Sequence, residues 1–126
     1  MIEERRQATS DWGKRHTIEM SEAAAAALIT AMEIDFGIPV TAYISNASVL
    51  AGKCVGTVHG HLDADESGRN ADGTLFGTDL ITNATQAEGY WIIAAGEPVY
   101  VLASFREPDG LASFENMLKD FTRNEI

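Results

Sequence analysis

Gly56-Thr57-Val58-His59-Gly60-His61, then Asp72-Gly73-Thr74-Leu75-Phe76-Gly77-Thr78-Asp79-Leu80-Ile81, then Tyr90 to Ala95, Gly96-Glu97-Pro98 and Val99 to Phe105 decide the fold. Each run is short, rich in β-branched and aromatic residues, and bounded by glycine, proline or aspartate. That is the pattern of strands separated by turns. Tyr90 to Phe105 reads as a hairpin around Gly96-Glu97-Pro98, and Leu75 to Ile81 as a strand opened by the Asp72-Gly73 turn signal. Asp63 to Gly73 and Thr82 to Gly89 read as polar connections.

Upstream, Val40 to Ser45 alternates as a strand, and Ser48 to Leu62 reads as one long or bulged strand. Its even face is Leu50, Gly52, Cys54, Gly56, Val58, Gly60 and Leu62. Glycines inside a strand mark bulges, bends or close backbone approach, which suits a strongly coiled sheet. Helices bracket the strands. Ser21 to Phe36 opens on an N-cap serine, continues through the alanines 23–27, and stops before Gly37 and Pro39. Leu28, Met32 and Phe36, flanked by Ala24, Ala25 and Ile29, form its expected apolar stripe. After Pro108-Asp109-Gly110, Asp109 is placed to cap a last helix with the stripe Leu111, Phe114, Met117, Leu118 and Phe121. The expectation is an α+β fold: four or five strands in an antiparallel, strongly bent β-meander or partial barrel. An Ala-rich N-terminal helix and an amphipathic C-terminal helix lie on one face or at one end.

At 126 residues, with 45% apolar residues, the chain is expected to form a single domain with its own core. Residues 1–14 read as a flexible polar arm, and Arg15 to Glu19 as a short strand or lead-in. No apolar run approaches the roughly 18–20 residues needed to span a bilayer. The charged start Met1-Ile2-Glu3-Glu4-Arg5-Arg6 lacks an apolar continuation, so a cytoplasmic location is expected. Cys54 is the single cysteine, which excludes an internal disulfide.

The formal net charge is −10. From His16 onward the chain holds five of the nine Lys and Arg but sixteen of the nineteen Asp and Glu. Such a body repels phosphate backbones, disfavouring direct nucleic-acid binding, and attracts a basic protein. Net negative charge also serves solubility alone.

His59 and His61 lie two apart on a presumed strand, which puts both imidazoles on one face. That spacing permits a shared transition metal, with Asp63 and Asp65 following. The alternative is two half-exposed strand residues beside an acidic loop. Asp63-Ala64-Asp65-Glu66-Ser67-Gly68 begins like a calcium loop, but its twelfth position is Thr74 where a bidentate Glu is needed. Cys54 falls on the apolar face of its strand, as a small buried hydrophobe does. No nucleophile elbow, phosphate loop or dinucleotide fingerprint occurs, so no catalytic residue is assigned.

The segment Gly56-Thr57-Val58-His59-Gly60-His61, with Asp72-Gly73, Phe76, Thr78 and Ile81, then Ala95-Gly96, Tyr100 and Leu102, resembles a family of very short phage and prophage proteins. Those share a Gly-x-Val-x-Gly-His segment, an Asp-Gly turn, a Thr-Ser-x-Ile strand and a closing Gly-x-x-Tyr-x-Leu hairpin. Asp79 stands where the family has Ser, the loop from Leu62 to Ala71 is longer, and the flanking helices have no counterpart. The resemblance implies a phage-related origin and a small β-meander, with Gly60-His61 and Thr78 as family-type positions. It brings no activity.

Three functions are compatible with these features. One is a non-enzymatic binding module that uses Asp63, Asp65, Glu66, Asp72 and Asp79 to cover a basic surface. Its sharpest form is a phage-encoded inhibitor of a nucleic-acid-binding host protein. Another is a metal-binding protein or small metal-dependent enzyme using His59 and His61. The third is an acidic dimeric chaperone. The first is the expected reading, as a monomer or homodimer and without a cofactor.

Overall fold

The computed structural model describes residues 20–64, 68 and 70–124. The N-terminal arm, the Arg15 to Glu19 lead-in, Asp65, Glu66 and Ser67 lie outside the described residues. Helix α1 spans Glu22–Glu33, and strands follow at β1 (Ala42–Leu50), β2 (Lys53–His59), β3 (Thr74–Leu80), β4 (Asn83–Ala87), β5 (Tyr90–Ala94) and β6 (Val99–Leu102). Helix α2, Gly110–Asn124, ends the described chain. The α+β class expected from the sequence is present. The six strands form one open sheet in the order β3-β2-β1-β6-β5-β4, so it is not a barrel.

Neighbouring strands pair antiparallel except at the centre, where β1 and β6 run parallel through Ala42↔Tyr100, Tyr43↔Val101 and Ile44↔Leu102. The sheet is therefore two three-stranded antiparallel halves joined by a parallel seam, not a single meander. Nor do the helices share a face. Ala42, Ile44, Ile93, Tyr100 and Leu102 pack with Phe114 and Met117 of α2. Their chain neighbours Tyr43, Ile92, Val99 and Val101 pack with Leu28 and Ala31 of α1. Because side chains alternate across a strand, α1 and α2 cover opposite faces, and β5 and β6 are apolar on both.

Ser21 caps α1 as expected, its Oγ accepting from the Ala24 N–H at 3.1 Å. The helix ends at Glu33 rather than Phe36, with Ile34 already extended. Gly37 does not close it; its N–H donates to the Asp35 carboxylate at 2.9 Å. The buried stripe is Ala24, Leu28 and Ala31, while Ile29 and Met32 are exposed. Ala24 and Ala31, small side chains that let the backbone approach the sheet closely, share the contact with Leu28. Tyr90 adds a tether, its hydroxyl donating to the Ala27 carbonyl at 2.8 Å.

The stretch read as one strand from Ser48 to Leu62 is a hairpin. Ala51 and Gly52 both have positive φ, 55° and 80°, and form a two-residue turn between β1 and β2. An extra residue in β1 shifts the register between Ser45 and Ser48, opposite Gly56. Gly56 is needed there, since a Cβ would lie 2.6 Å from the Ser45 carbonyl oxygen. The bulge thus lies in β1, before the Ser48–Leu62 stretch in which it was expected, and the glycine in β2 makes room for it. Glu88 and Gly89, φ 54° and 85°, make a second tight turn that converts the expected Thr82–Gly89 loop into edge strand β4.

On the α2 face, Phe114 is fully buried, with Trp91 and Phe105 at centroid distances of 4.9 and 5.4 Å. Ser113 locks the helix to β1: its Oγ accepts from the Val49 N–H at 2.9 Å and donates to the Gly110 carbonyl. Asp109 precedes the helix, and its carboxylate meets Arg106 at 3.3 Å. No helix among the described residues is long and apolar enough to cross a membrane.

Candidate functional site

Of the acidic and histidine residues singled out in the sequence, His59, His61, Asp63 and Asp72 lie around one end of the β2–β3 pair, while Asp79 lies near the other end of β3, beside Leu80, the register partner of Lys53. Gly60, with φ 62°, turns the chain out of β2 immediately after His59. Its N–H donates to the Asp72 carboxylate at 2.8 Å, and the Gly73 N–H donates to the Val58 carbonyl at 2.8 Å. Asp72-Gly73 is thus the expected turn, and one oxygen of Asp72 is committed to holding it.

The turn at Gly60 separates the histidines. His59 pairs in register with Tyr43 on the α1 side of the sheet. His61 lies on the opposite side, its ring 5.3 Å from Phe76 and 6.5 Å from Tyr100. Its Nδ1 accepts from the Asp63 N–H at 2.9 Å. The shared face that strand periodicity predicts ends where the strand ends. Among the described residues no group of three or more His, Cys, Asp or Glu side chains is placed to hold a metal ion. His61, Phe76 and Tyr100 instead form an aromatic corner, with Phe76 and Tyr100 5.6 Å apart.

His59 is half-buried and its Nε2 has no hydrogen-bond partner among the described residues. Burial lowers its pKa from 6.5, and the Asp72 charge pulls it partly back. The Tyr100 hydroxyl is pushed up by burial and then by the charges of Asp79, Asp63 and Cys54. Thr78 is structural: its Oγ1 accepts from the Cys54 N–H at 3.0 Å and donates to the Asp79 carbonyl at 2.7 Å. It bridges the register shift between β2 and β3. Cys54 is fully buried, its thiol pushed up to about 12 by burial, so it is a core side chain and not a nucleophile.

Of the five carboxylates expected to meet a partner, Asp63, Asp72 and Asp79 are exposed, while Asp65 and Glu66 fall outside the described residues. Asp72 lies just before β3 and Asp79 near its end, and β3 is an edge of the sheet. Leu75 and Leu80 on that edge are 63% and 59% exposed.

Sequence reasoning missed two further features. Ser45 and Thr57, register partners on the α1 face, are buried, and their hydroxyls lack hydrogen-bond partners among the described residues. Alternation predicts their shared face, but only the pairing of two strands reveals that they meet. A cavity of about 710 Å³ also opens between the start of α1, Asn46 and the Ser104–Pro108 connection. It joins segments far apart in sequence, and no local signal marks it. No family model matches the chain, and neither a curated protein nor a solved structure matches it.

Proposed function

We propose that this chain is a small acidic protein-binding module whose partner presents a basic surface. One observation carries the reading. Every Asp and Glu among the described side chains, twelve in all, is exposed, against three cations, Lys53, Arg106 and Lys119. Arg106 is itself engaged by Asp109. The single cysteine is buried, so this surface offers carboxylates rather than a thiol, and recognition of a basic partner is the activity it supports best. In its sharpest form the chain is a phage-derived inhibitor that covers the nucleic-acid-binding surface of a host protein.

The test is affinity capture from nuclease-treated bacterial lysate at low and high salt. The retained protein is then purified, and its nucleic-acid binding is measured with and without this chain. Screening weakens attraction between exposed charges, so a partner held at low salt and released at high salt is expected. That partner should lose its grip on nucleic acid when the chain is added. A neutral partner held equally at both salts would overturn the reading.

A further inference from the structure

We infer that the β3 edge is the docking strand, and that it takes an extended, basic segment of a partner protein as an added strand of the sheet. This rests on the acidic-module reading and names its surface. Even-numbered residues of the β1–β2 turn and β2 direct their backbone groups toward β3. The Gly52 carbonyl accepts from the Ile81 N–H, the Cys54 N–H donates to Thr78, and the Val58 carbonyl accepts from Gly73. Gly56 follows the same alternation and pairs with Phe76. The N–H and C=O groups of Leu75 and Gly77 therefore point outward from the sheet. No described strand pairs with them. A row of free backbone groups is a ready template for another strand.

Charge selects the occupant. Asp72 lies just before the strand and Asp79 within it, both exposed, and β3 itself carries no cation. Lysine or arginine at alternate positions of an incoming strand meets those carboxylates, while Leu75 and Leu80 supply apolar contact. A second copy of this chain, with net charge −10, is repelled by the same groups. The other edge, β4, is the less suited one: five residues long, with the uncharged sequence Asn83-Ala84-Thr85-Gln86-Ala87.

Amide hydrogen exchange on the full chain, followed by NMR, tests the assignment with a synthetic peptide of alternating valine and lysine. At low salt the peptide should slow exchange at Leu75 and Gly77 by about tenfold or more. About 0.5 M NaCl should abolish the protection. The same peptide N-methylated at every second residue, with its charge intact, should not protect, because its hydrogen-bonding edge is blocked. Asp79→Lys should weaken binding of the unmodified peptide. Binding with protection elsewhere, no binding, or equal protection by the N-methylated peptide would overturn the edge assignment. So would protection that grows with protein concentration alone, the mark of self-pairing. If the chain captures a basic partner in a salt-dependent way but β3 stays unprotected, the edge proposal falls while the acidic-module reading stands.

Discussion

Ser45 and Thr57 have 0% and 2% of their surfaces exposed, and neither hydroxyl has a hydrogen-bond partner among the described residues. A buried hydroxyl without a partner costs about 1–3 kcal/mol, so replacing it by a methyl of similar shape relieves that cost. Thr57→Val is expected to raise stability by roughly 1 kcal/mol in urea denaturation. Since the two residues are register partners, Ser45→Ala and Thr57→Val should not add simply. His59 makes a second prediction. Its pKa lies below 6.5 in the fold, so the native protein favours the neutral ring. Above 6.5 both states are neutral and nothing is lost. As pH falls below 6.5 the unfolded chain binds the proton first, and stability declines. His59→Gln should flatten the decline in denaturation midpoints as pH falls below 6.5. None of these orphan atoms was legible in sequence, because burial of a polar residue depends on which strands and helix lie against it.

At the scale of elements, the sequence is most legible where local chemistry and packing agree. The Ser21 cap, the Asp72-Gly73 turn and the Tyr90–Leu102 hairpin are all where composition puts them. The tight turns at Ala51-Gly52 and Glu88-Gly89 were hidden because Ala and Glu stand at a left-handed position where Asn or Asp is the usual signal. Missing the first joined the end of β1, Ser48 to Leu50, to β2; missing the second dissolved β4 into a loop. The same mismatch gives a prediction. Ala51→Asn should stabilise the hairpin by several tenths of a kcal/mol in thermal or urea denaturation, since Asn tolerates φ near 55° better. In the opposite direction, Phe114→Ala should cost about 3–5 kcal/mol by emptying the contact of α2 with Trp91 and Phe105. A loss under about 1 kcal/mol would mean that α2 holds the sheet by other residues.

For the molecule as a whole, the class was legible and the layering was not. Strand periodicity tells which residues share a face. It does not tell that both faces of β6, Val99-Tyr100-Val101-Leu102, are covered, one by each helix. A run of consecutive apolar residues in a short strand is the one signal that pointed there. The candidate site was partly legible: its carboxylates stand out in composition, but the separation of His59 from His61 follows from the backbone at Gly60. Globally, the thiol of Cys54 should report unfolding. With its pKa near 12 in the fold, alkylation at pH 8 should proceed only through opened molecules, and its rate should rise with urea in parallel with loss of circular dichroism.

The parallel seam between β1 and β6 also orders events in time. Ala42 and Tyr100 must find each other across nearly half of the chain, and no hairpin brings them together. Each antiparallel half can close through local connections, but the central pair waits for the last strand. During synthesis, β1, β2 and β3 are complete well before Val99–Leu102 emerges, and until then β1 is a second open edge. Closing that distant contact should limit the folding rate, and substitutions that weaken the β1–β6 pairing should slow folding more than they speed unfolding.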